Sequence, residues 1–372
     1  MHVLGIETSC DETAVALVQA GAKATRIVDS LVSSQVQLHA AYGGVVPEIA
    51  VREHLRNLPV LVPELLRRTD FSWRQIDAVA VTEGPGLASS LLIGNAYARA
   101  LALSLSKPLF GINHLEGHLF SPFLSSGRKV TFPFIGLVVS GGHTLLIHVL
   151  GWNRYVKLGG TVDDAAGEVF DKVARLLGLP YPGGPEIEKR ALQGNPNAYA
   201  FPRSFPEKGN YQFSFSGLKT SVRYFFEKNP GAHEDPQWQA DLCASFQESV
   251  VQVLVRKTLS AAEARRSRTV VAAGGVLCNQ RLRSVLEAGC VERGYELLLA
   301  DAGLCTDNAA MIAAVAAEKM KQGLPPETSP DIQPSMVLQS VQPGGEVARG
   351  LDLAGKLKKR QTRGLAQKSG VH

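Results

Sequence analysis

Cysteine is scarce in this chain. Five occur in 372 residues, an odd and scattered set (Cys10, Cys243, Cys278, Cys290, Cys305) with no C-x-x-C. That excludes a disulfide framework and fits reduced thiols in a cytoplasmic protein. Long hydrophobic runs are also missing. The longest, residues 87–105, is interrupted by Asn95 and Arg99, so it reads as a core helix and not as a membrane span. No basic region with a cleavage site precedes the first apolar strand, so no targeting segment is expected. The phosphate-binding patterns G-x-x-x-x-G-K-[ST] and G-x-G-x-x-G are both absent, which disfavours P-loop and Rossmann readings. The body lacks a surplus of either charge: residues 1–339 hold 32 basic and 32 acidic side chains. The net charge of +5 comes entirely from residues 340–372, with seven basic residues and two acids. Such a tail is either an electrostatic arm for an anionic partner or a solvated terminus.

What is present is an ordinary globular composition, 45% apolar and 20% charged, on a chain too long for one core. Residues 3–7 and 14–19 are apolar runs around the polar turn 8–13, a hairpin signal. Residues 134–139 and 145–150 flank a second such turn, 140–144. Thr13 and Thr144 occupy matching places just before the return strands. This weak repeat predicts two α/β lobes facing across a cleft, where ligands bind. Further strands are expected at 77–82, 108–113, 269–273 and 295–300. Helices are expected at 47–68, from about 87 to 105, at 163–178, from Pro185, at 237–266, from about 279, and at 307–322. Residues 195–215 read as a long functional loop. The expected division is an N-terminal lobe 1–130 with the last helix (about 305–325) packing back, a C-terminal lobe 131–304, and a basic tail 338–372.

The chemistry is concentrated around His114-Leu115-Glu116-Gly117-His118. On a helix, this spacing puts both imidazoles on one face, about 6 Å apart at Cβ, close enough to share a metal ion. A zinc protease carries its glutamate directly after the first histidine. Here Glu116 lies two residues from each, about 200° round the helix, and cannot easily act as base for a metal-bound water. The alternative is a pair of packing histidines. Asp307, at a helix start, is the best third ligand, or else a helix cap. Two histidines and a carboxylate suit Fe(II) or Zn(II).

Three Gly-Gly turns, at 141–142, 183–184 and 274–275, each stand at a strand end or a helix start. They can bring backbone N–H groups against an anion, as a split nucleotide site requires, or they are simple turns. Asp11 and Glu12 lie in the first hairpin turn, a polar loop with no reason to be buried. They can orient a nucleophile or hold a cation, or serve only as turn formers. Asp163, Asp164 and Asp171 flank a helix start, with Asp164 a candidate cap.

At this point the residues themselves carry a resemblance. The blocks GIETSCDET (5–13), YGGVVPE (42–48), EGPGL (83–87), NHLEGH (113–118), VSGGHT (139–144), DDAAGEVFDK (163–172), YPGGP (181–185), FSFSGLKT (213–220), GGVLCN (274–279) and CTDN (305–308) run in order over about residues 1–337. They resemble the universal tRNA threonylcarbamoyladenosine-modifying family, in its bacterial catalytic branch. The resemblance implies a two-lobed actin-like, sugar-kinase and heat-shock ATPase fold, with the active site in the inter-lobe cleft. It implies an acyltransferase that moves a threonylcarbamoyl group from threonylcarbamoyl-AMP to N6 of adenosine 37 in tRNAs reading ANN codons, releasing AMP. It implies His114, His118 and Asp307 as ligands of one divalent metal, iron or zinc. Val138, Val139, Ser140, Gly141, Gly142, Asp171, Gly184, Glu188 and Asn279 would bind substrate, and Asp11 and Glu12 would be the catalytic acids. Expected partners are tRNA, an inactive paralogue (TsaB) and a small ATPase (TsaE), with no membrane. The rival readings are a metalloprotease, an ATP-dependent small-molecule kinase and an inactive scaffold. Ala309 in place of a common glycine and Asn113 in place of an extra histidine leave the ligand pair untouched.

Overall fold

The computed structural model describes residues 1–21, 24–326 and 331–338. The expected tail, beyond Leu338, lies outside the described residues. The first half holds strands β1 (His2–Glu7), β2 (Glu12–Ala20), β3 (Thr25–Ser34), β4 (Ala78–Gly84) and β5 (Leu109–Asn113). Its helices are α1 (Val36–Ala40), α2 (Pro47–Thr69), α3 (Ala88–Leu105) and α4 (His114–Ser126). The second half holds β6 (Phe134–Val139), β7 (Thr144–Gly151), β8 (Arg154–Gly160), β9 (Thr269–Ala273) and β10 (Glu296–Leu299). Its helices are α5 (Ala166–Leu176), α6 (Gly183–Ala191), α7 (Ser216–Lys228), α8 (Pro236–Ala264), α9 (Gln280–Arg293), α10 (Ala302–Cys305) and α11 (Ala309–Lys321).

The repeat hinted at by the two hairpins is complete at the level of topology. One sheet runs β3-β2-β1-β4-β5 and the other β8-β7-β6-β9-β10. In each, the first strand pairs antiparallel with its hairpin partner and parallel with the next strand. The central strands are buried on both faces, so successive side chains feed two different cores. Leu4, Ile6, Val79 and Val81 pack with Leu58, Val62 and Leu65 of α2. Val3, Ala14, Ala16, Ala78 and Ala80 turn the other way, onto the alanines of α11 and onto α4. That core also takes Phe134, Val138, Ile147, Val149 and Val271 from the second sheet. So α4 and α11 lie between the two sheets, and the residues at their N-termini end at the cleft floor. Small residues permit this approach: a Cβ at Gly5 would stand 2.3 Å from the Ala309 carbonyl oxygen.

Sequence reading misses β3, β8, α1, α7 and α10. Strands β3 and β8 are edge strands, partly exposed and rich in Ser, Asp, Lys and Gly, so their apolar alternation is weak. Three helix starts are also shifted. Helix α5 begins at Ala166 because Asp163 and Asp164 serve tertiary contacts: Asp163 accepts from Ser214 and Ser216, and Asp164 pairs with Lys172 and Lys219. Helix α6 begins at Gly183, two residues before Pro185. Helix α11 begins at Ala309, after Asn308.

Candidate metal centre in the inter-lobe cleft

Strand β5 hands directly into α4, and Asn113 sets the junction. Its side chain accepts from the Leu115 N–H at 2.9 Å and the Glu116 N–H at 3.3 Å, which caps the helix. His114 and His118 then sit one turn apart, their rings edge-on with centroids separated by 4.7 Å. Asp307 meets them from the turn before α11. Its Oδ1 lies 3.1 Å from His118 Nε2 and 3.4 Å from His114 Nε2. Asp307 is not the cap of α11. Asn308 caps α11, accepting from the Met311 N–H at 2.9 Å, and the Asp307 carboxylate is left facing the histidines.

These three residues each offer one ligand atom, all within 4.8 Å of one another. Donors on a common ion at about 2.1 Å stand roughly 3.0–3.4 Å apart, as the Asp307 contacts do. The tautomer also fits. Glu7, fully buried, faces His114 Nδ1 through Oε2 at 3.1 Å, and Ser9 Oγ lies 3.2 Å from the same nitrogen. With the Nδ1 proton held there, Nε2 carries the lone pair a metal needs. Burial opposes a charge on His114, but the Asp307 and Glu7 carboxylates outweigh it and raise the ring to about 9. Burial works to raise Asp307, yet the facing histidines hold it well below the usual carboxylate range. The negative charge that draws a proton to this cluster would equally draw a divalent cation.

Above the cluster opens a cavity of about 600 Å³, lined from the first lobe by Asp11, Glu12, Gly43 and Gly86 and from the second by the Ser140–Gly142 turn and Asp171. A smaller cavity of about 320 Å³ shares Asp11, Glu12, Gly141 and Asp171 and continues to Gly184, Glu188 and Asn279. A Cβ at Gly141, Gly142 or Gly184 would meet nothing within 4 Å, so the backbone there is open to a ligand. Asp171 accepts from the Gly183 N–H at 2.7 Å, and burial raises its carboxyl against that bond.

Two expected residues, Val138 and Val139, do not line this space. Val138 and Val139 turn their side chains into the two cores, leaving only their backbone near the cleft. Asn279 caps α9 through the Leu282 N–H and donates to Gln247 at 2.6 Å, while Glu188 accepts from the Gln280 N–H at 2.6 Å. Asp11 and Glu12 depart from the open polar loop expected of them. The second lobe and the 306–307 turn close over the hairpin, and Asp11 is buried. Burial, then the Asp307 and Asp11 charges, push Glu12 up to about 10.

Sequence reading misses Glu7 and His143. Glu7 is the one acid of β1 and follows the buried apolar run Val3–Ile6, which is itself a signal. His143 reaches across from the second hairpin turn, its ring 6.4 Å from that of His114. Burial, then His114 and His118, lower it to about 4. Glu116 points away from the cluster, accepting from the Tyr155 hydroxyl at 2.5 Å and pairing with Lys319 at 3.1 Å.

Residues 26–314 match the sequence profile of the family described as TsaD: tRNA N6-adenosine threonylcarbamoyltransferase. The chain belongs to this family. A tRNA N6-adenosine threonylcarbamoyltransferase of Geobacter metallireducens is 53% identical over 313 residues, 84% of this chain and 90% of the relative. One from Kosmotoga olearia is 50% identical over 324 residues, 87% and 95% of the two chains. Among solved structures, full-length HypF in the phosphate- and nucleotide-bound form matches with a TM-score of 0.57 at 13% identity, over 87% of this chain and 56% of that one. That likeness concerns the fold alone: two α/β lobes, each built on a five-stranded mixed sheet. TsaD membership makes the chain a transferase that modifies tRNA. No helix among the described residues is long and apolar enough to cross a membrane.

Proposed function

We propose that this chain transfers a threonylcarbamoyl group from threonylcarbamoyl-AMP to N6 of adenosine 37 in tRNAs reading ANN codons, with release of AMP. The observation that carries the reading is the His114–His118–Asp307 cluster at the floor of a glycine-lined cleft, in a chain of the TsaD family. His114 and His118 would hold the metal with Asp307, iron(II) foremost and zinc(II) as the alternative. When bound, such an ion supplies Lewis acidity and a template for phosphate or carbonyl oxygens.

The chain's own groups do the rest. The Ser140–Gly142 and Gly184 backbones would cradle the adenylate, and Asp171 and Glu188 would accept from its ribose hydroxyls. The adenine amine is a weak nucleophile, so holding it against the carbamoyl carbon contributes much of the rate. An anticodon-loop base is unpaired, so presenting it costs little. As the amine attacks and the bond to AMP breaks, one proton must leave the nitrogen. Asp11 and Glu12 share the cleft floor, and one carboxyl of such a close pair stays protonated. The pair therefore offers an acceptor for that proton and a donor for the departing phosphate. The helper proteins expected are the inactive paralogue and the small ATPase named above, and the compartment is the cytoplasm.

The test incubates the full chain with threonylcarbamoyl-AMP, unmodified tRNA and the helper proteins, and digests the tRNA for nucleoside mass spectrometry. Threonylcarbamoyladenosine at position 37 is the expected product, and its absence overturns the proposal. The metalloprotease reading needs a glutamate base. Glu116→Gln should lower stability by about 1–3 kcal/mol, since it disturbs a buried ion pair and hydrogen bond, yet leave transfer intact. Denaturant unfolding beside the transfer assay checks this, and loss of turnover in a folded variant would return Glu116 to the chemistry.

A further inference from the structure

Segment 331–338 and the basic stretch that follows it have no part in the mechanism above. The segment runs along the loop 83–87. A bulge between Thr82 and Gly84 leaves Glu83 out of the β4–β5 register, and the segment takes up the groups so freed. The Gln333 N–H donates to the Glu83 carbonyl at 2.8 Å, and the Gln333 side-chain amide donates to Glu83 Oε1 at 2.7 Å. The Gly86 N–H donates to the Pro334 carbonyl at 3.2 Å. The fit leaves no room for a side chain at Gly84, where a Cβ would stand 1.9 Å from the Gln333 carbonyl oxygen. Leu338 then packs on the core between the two sheets. Pro85, Gly86 and Leu87 of the same loop line the large cavity, and the Leu87 N–H donates to the Ser9 carbonyl at 2.8 Å. The chain therefore leaves Leu338 beside the cleft.

Charge gives this placement a use. A tRNA is a polyanion, and phosphate contacts supply much of the affinity of any protein that binds it. Residues 1–339, with 32 basic and 32 acidic side chains, offer no net attraction. The cavity itself is worse suited. Five of its lining side chains carry carboxyls (Asp11, Glu12, Glu168, Asp171 and Asp307), and only Lys172 and Arg175 carry permanent cations. The surplus of positive charge lies wholly in residues 340–372, densest in the block Lys356-Leu357-Lys358-Lys359-Arg360.

We propose that segment 331–338 roots the basic tail beside the cleft, so that the tail binds phosphates of the tRNA anticodon arm while adenosine 37 is presented. The inference rests on the transfer reading above, which puts that base in the cleft. Arg349, the first basic residue of the tail, is eleven residues beyond Leu338 and so at most about 40 Å from it. The block 356–360 lies at most about 80 Å away. The root makes base presentation in the cleft and phosphate capture by the tail two halves of one binding event, which strengthens both. Each phosphate neutralised releases counterions, so the contribution is large at low salt and fades as salt rises. The tail reads no sequence. It holds the tRNA, and the cleft selects the base.

The test uses the full chain with the helper proteins and unmodified tRNA. Lys356→Gln, Lys358→Gln, Lys359→Gln and Arg360→Gln together remove four positive charges from the tail. The slope of log Kd against log salt should then fall by about 3, and binding at about 50 mM salt should weaken at least tenfold. The KM for tRNA should rise in step, while kcat stays within about twofold. Lys356→Arg, Lys358→Arg and Lys359→Arg together keep the charge and should bind like the wild-type chain. Chemical cross-linking read by mass spectrometry should join residues 349–368 to nucleotides of the anticodon arm. An unchanged salt slope in the glutamine variant, or cross-links confined to other arms of the tRNA, overturns the proposal. Absence of threonylcarbamoyladenosine with the wild-type chain overturns the transfer reading instead, and the binding and cross-linking results are read independently of it.

Discussion

Asp307→Ala should empty the metal centre and abolish threonylcarbamoyl transfer while the chain stays folded. The substitution leaves two imidazoles, which are too few to hold an ion firmly. Losing a mere outer partner of a ligand costs about 10–100-fold in metal affinity, so losing the ligand itself should cost more. The fold has little to lose. Asp307 is half-buried in a turn, Asn308 keeps its cap on α11, and the alanine face of α11 is untouched. His118→Ala should act in the same direction, from the other side of the cluster. Elemental analysis after gel filtration, nucleoside mass spectrometry and a thermal melt separate the three properties. Full transfer by a metal-free, folded Asp307→Ala chain would remove the metal from the proposed mechanism.

What the sequence discloses of this site depends on how local the relevant contact is. The His114–His118 spacing lies within one helical turn, so helix geometry alone orients the pair and turns Glu116 aside. Both hairpins and all the buried strands show as apolar runs, because a strand covered on both faces has no polar side to confuse the reading. Edge strands β3 and β8 lack that signal. Asp307 joins the histidines across 189 residues, and no periodicity reports that approach. Residue type and a place at a helix start make it a candidate, and only Asn308 taking the cap shows where its carboxylate goes. Asp11 and Glu12 mislead for a related reason. A polar turn looks solvated until a second lobe, encoded more than a hundred residues later, closes over it. Val138 and Val139 show the converse limit: the motif marks the strand end, but β alternation sends both side chains into the cores.

Glu7→Gln should lower metal affinity by about 10–100-fold although Glu7 touches no metal. Its two oxygens are fully engaged. Oε1 accepts from the Ser9 N–H at 2.5 Å, and Oε2 accepts from the Thr82 hydroxyl at 2.5 Å and faces His114 Nδ1 at 3.1 Å. A glutamine amide cannot satisfy both ends. With its NH2 towards Ser9, two donors face each other in a buried site, at a cost of about 1–3 kcal/mol. With its NH2 towards His114, Nδ1 becomes an acceptor and the ring proton moves to Nε2, the nitrogen that should hold the metal. The loss of negative charge weakens cation binding in either orientation. Zinc affinity by competition with a chelating dye reads this directly, and a melt in the absence of metal reads the packing cost separately. An unchanged zinc affinity would mean that His114 keeps its tautomer without Glu7, through the Ser9 hydroxyl at 3.2 Å. Ser9→Ala in the Glu7→Gln background would then be the substitution that frees the ring.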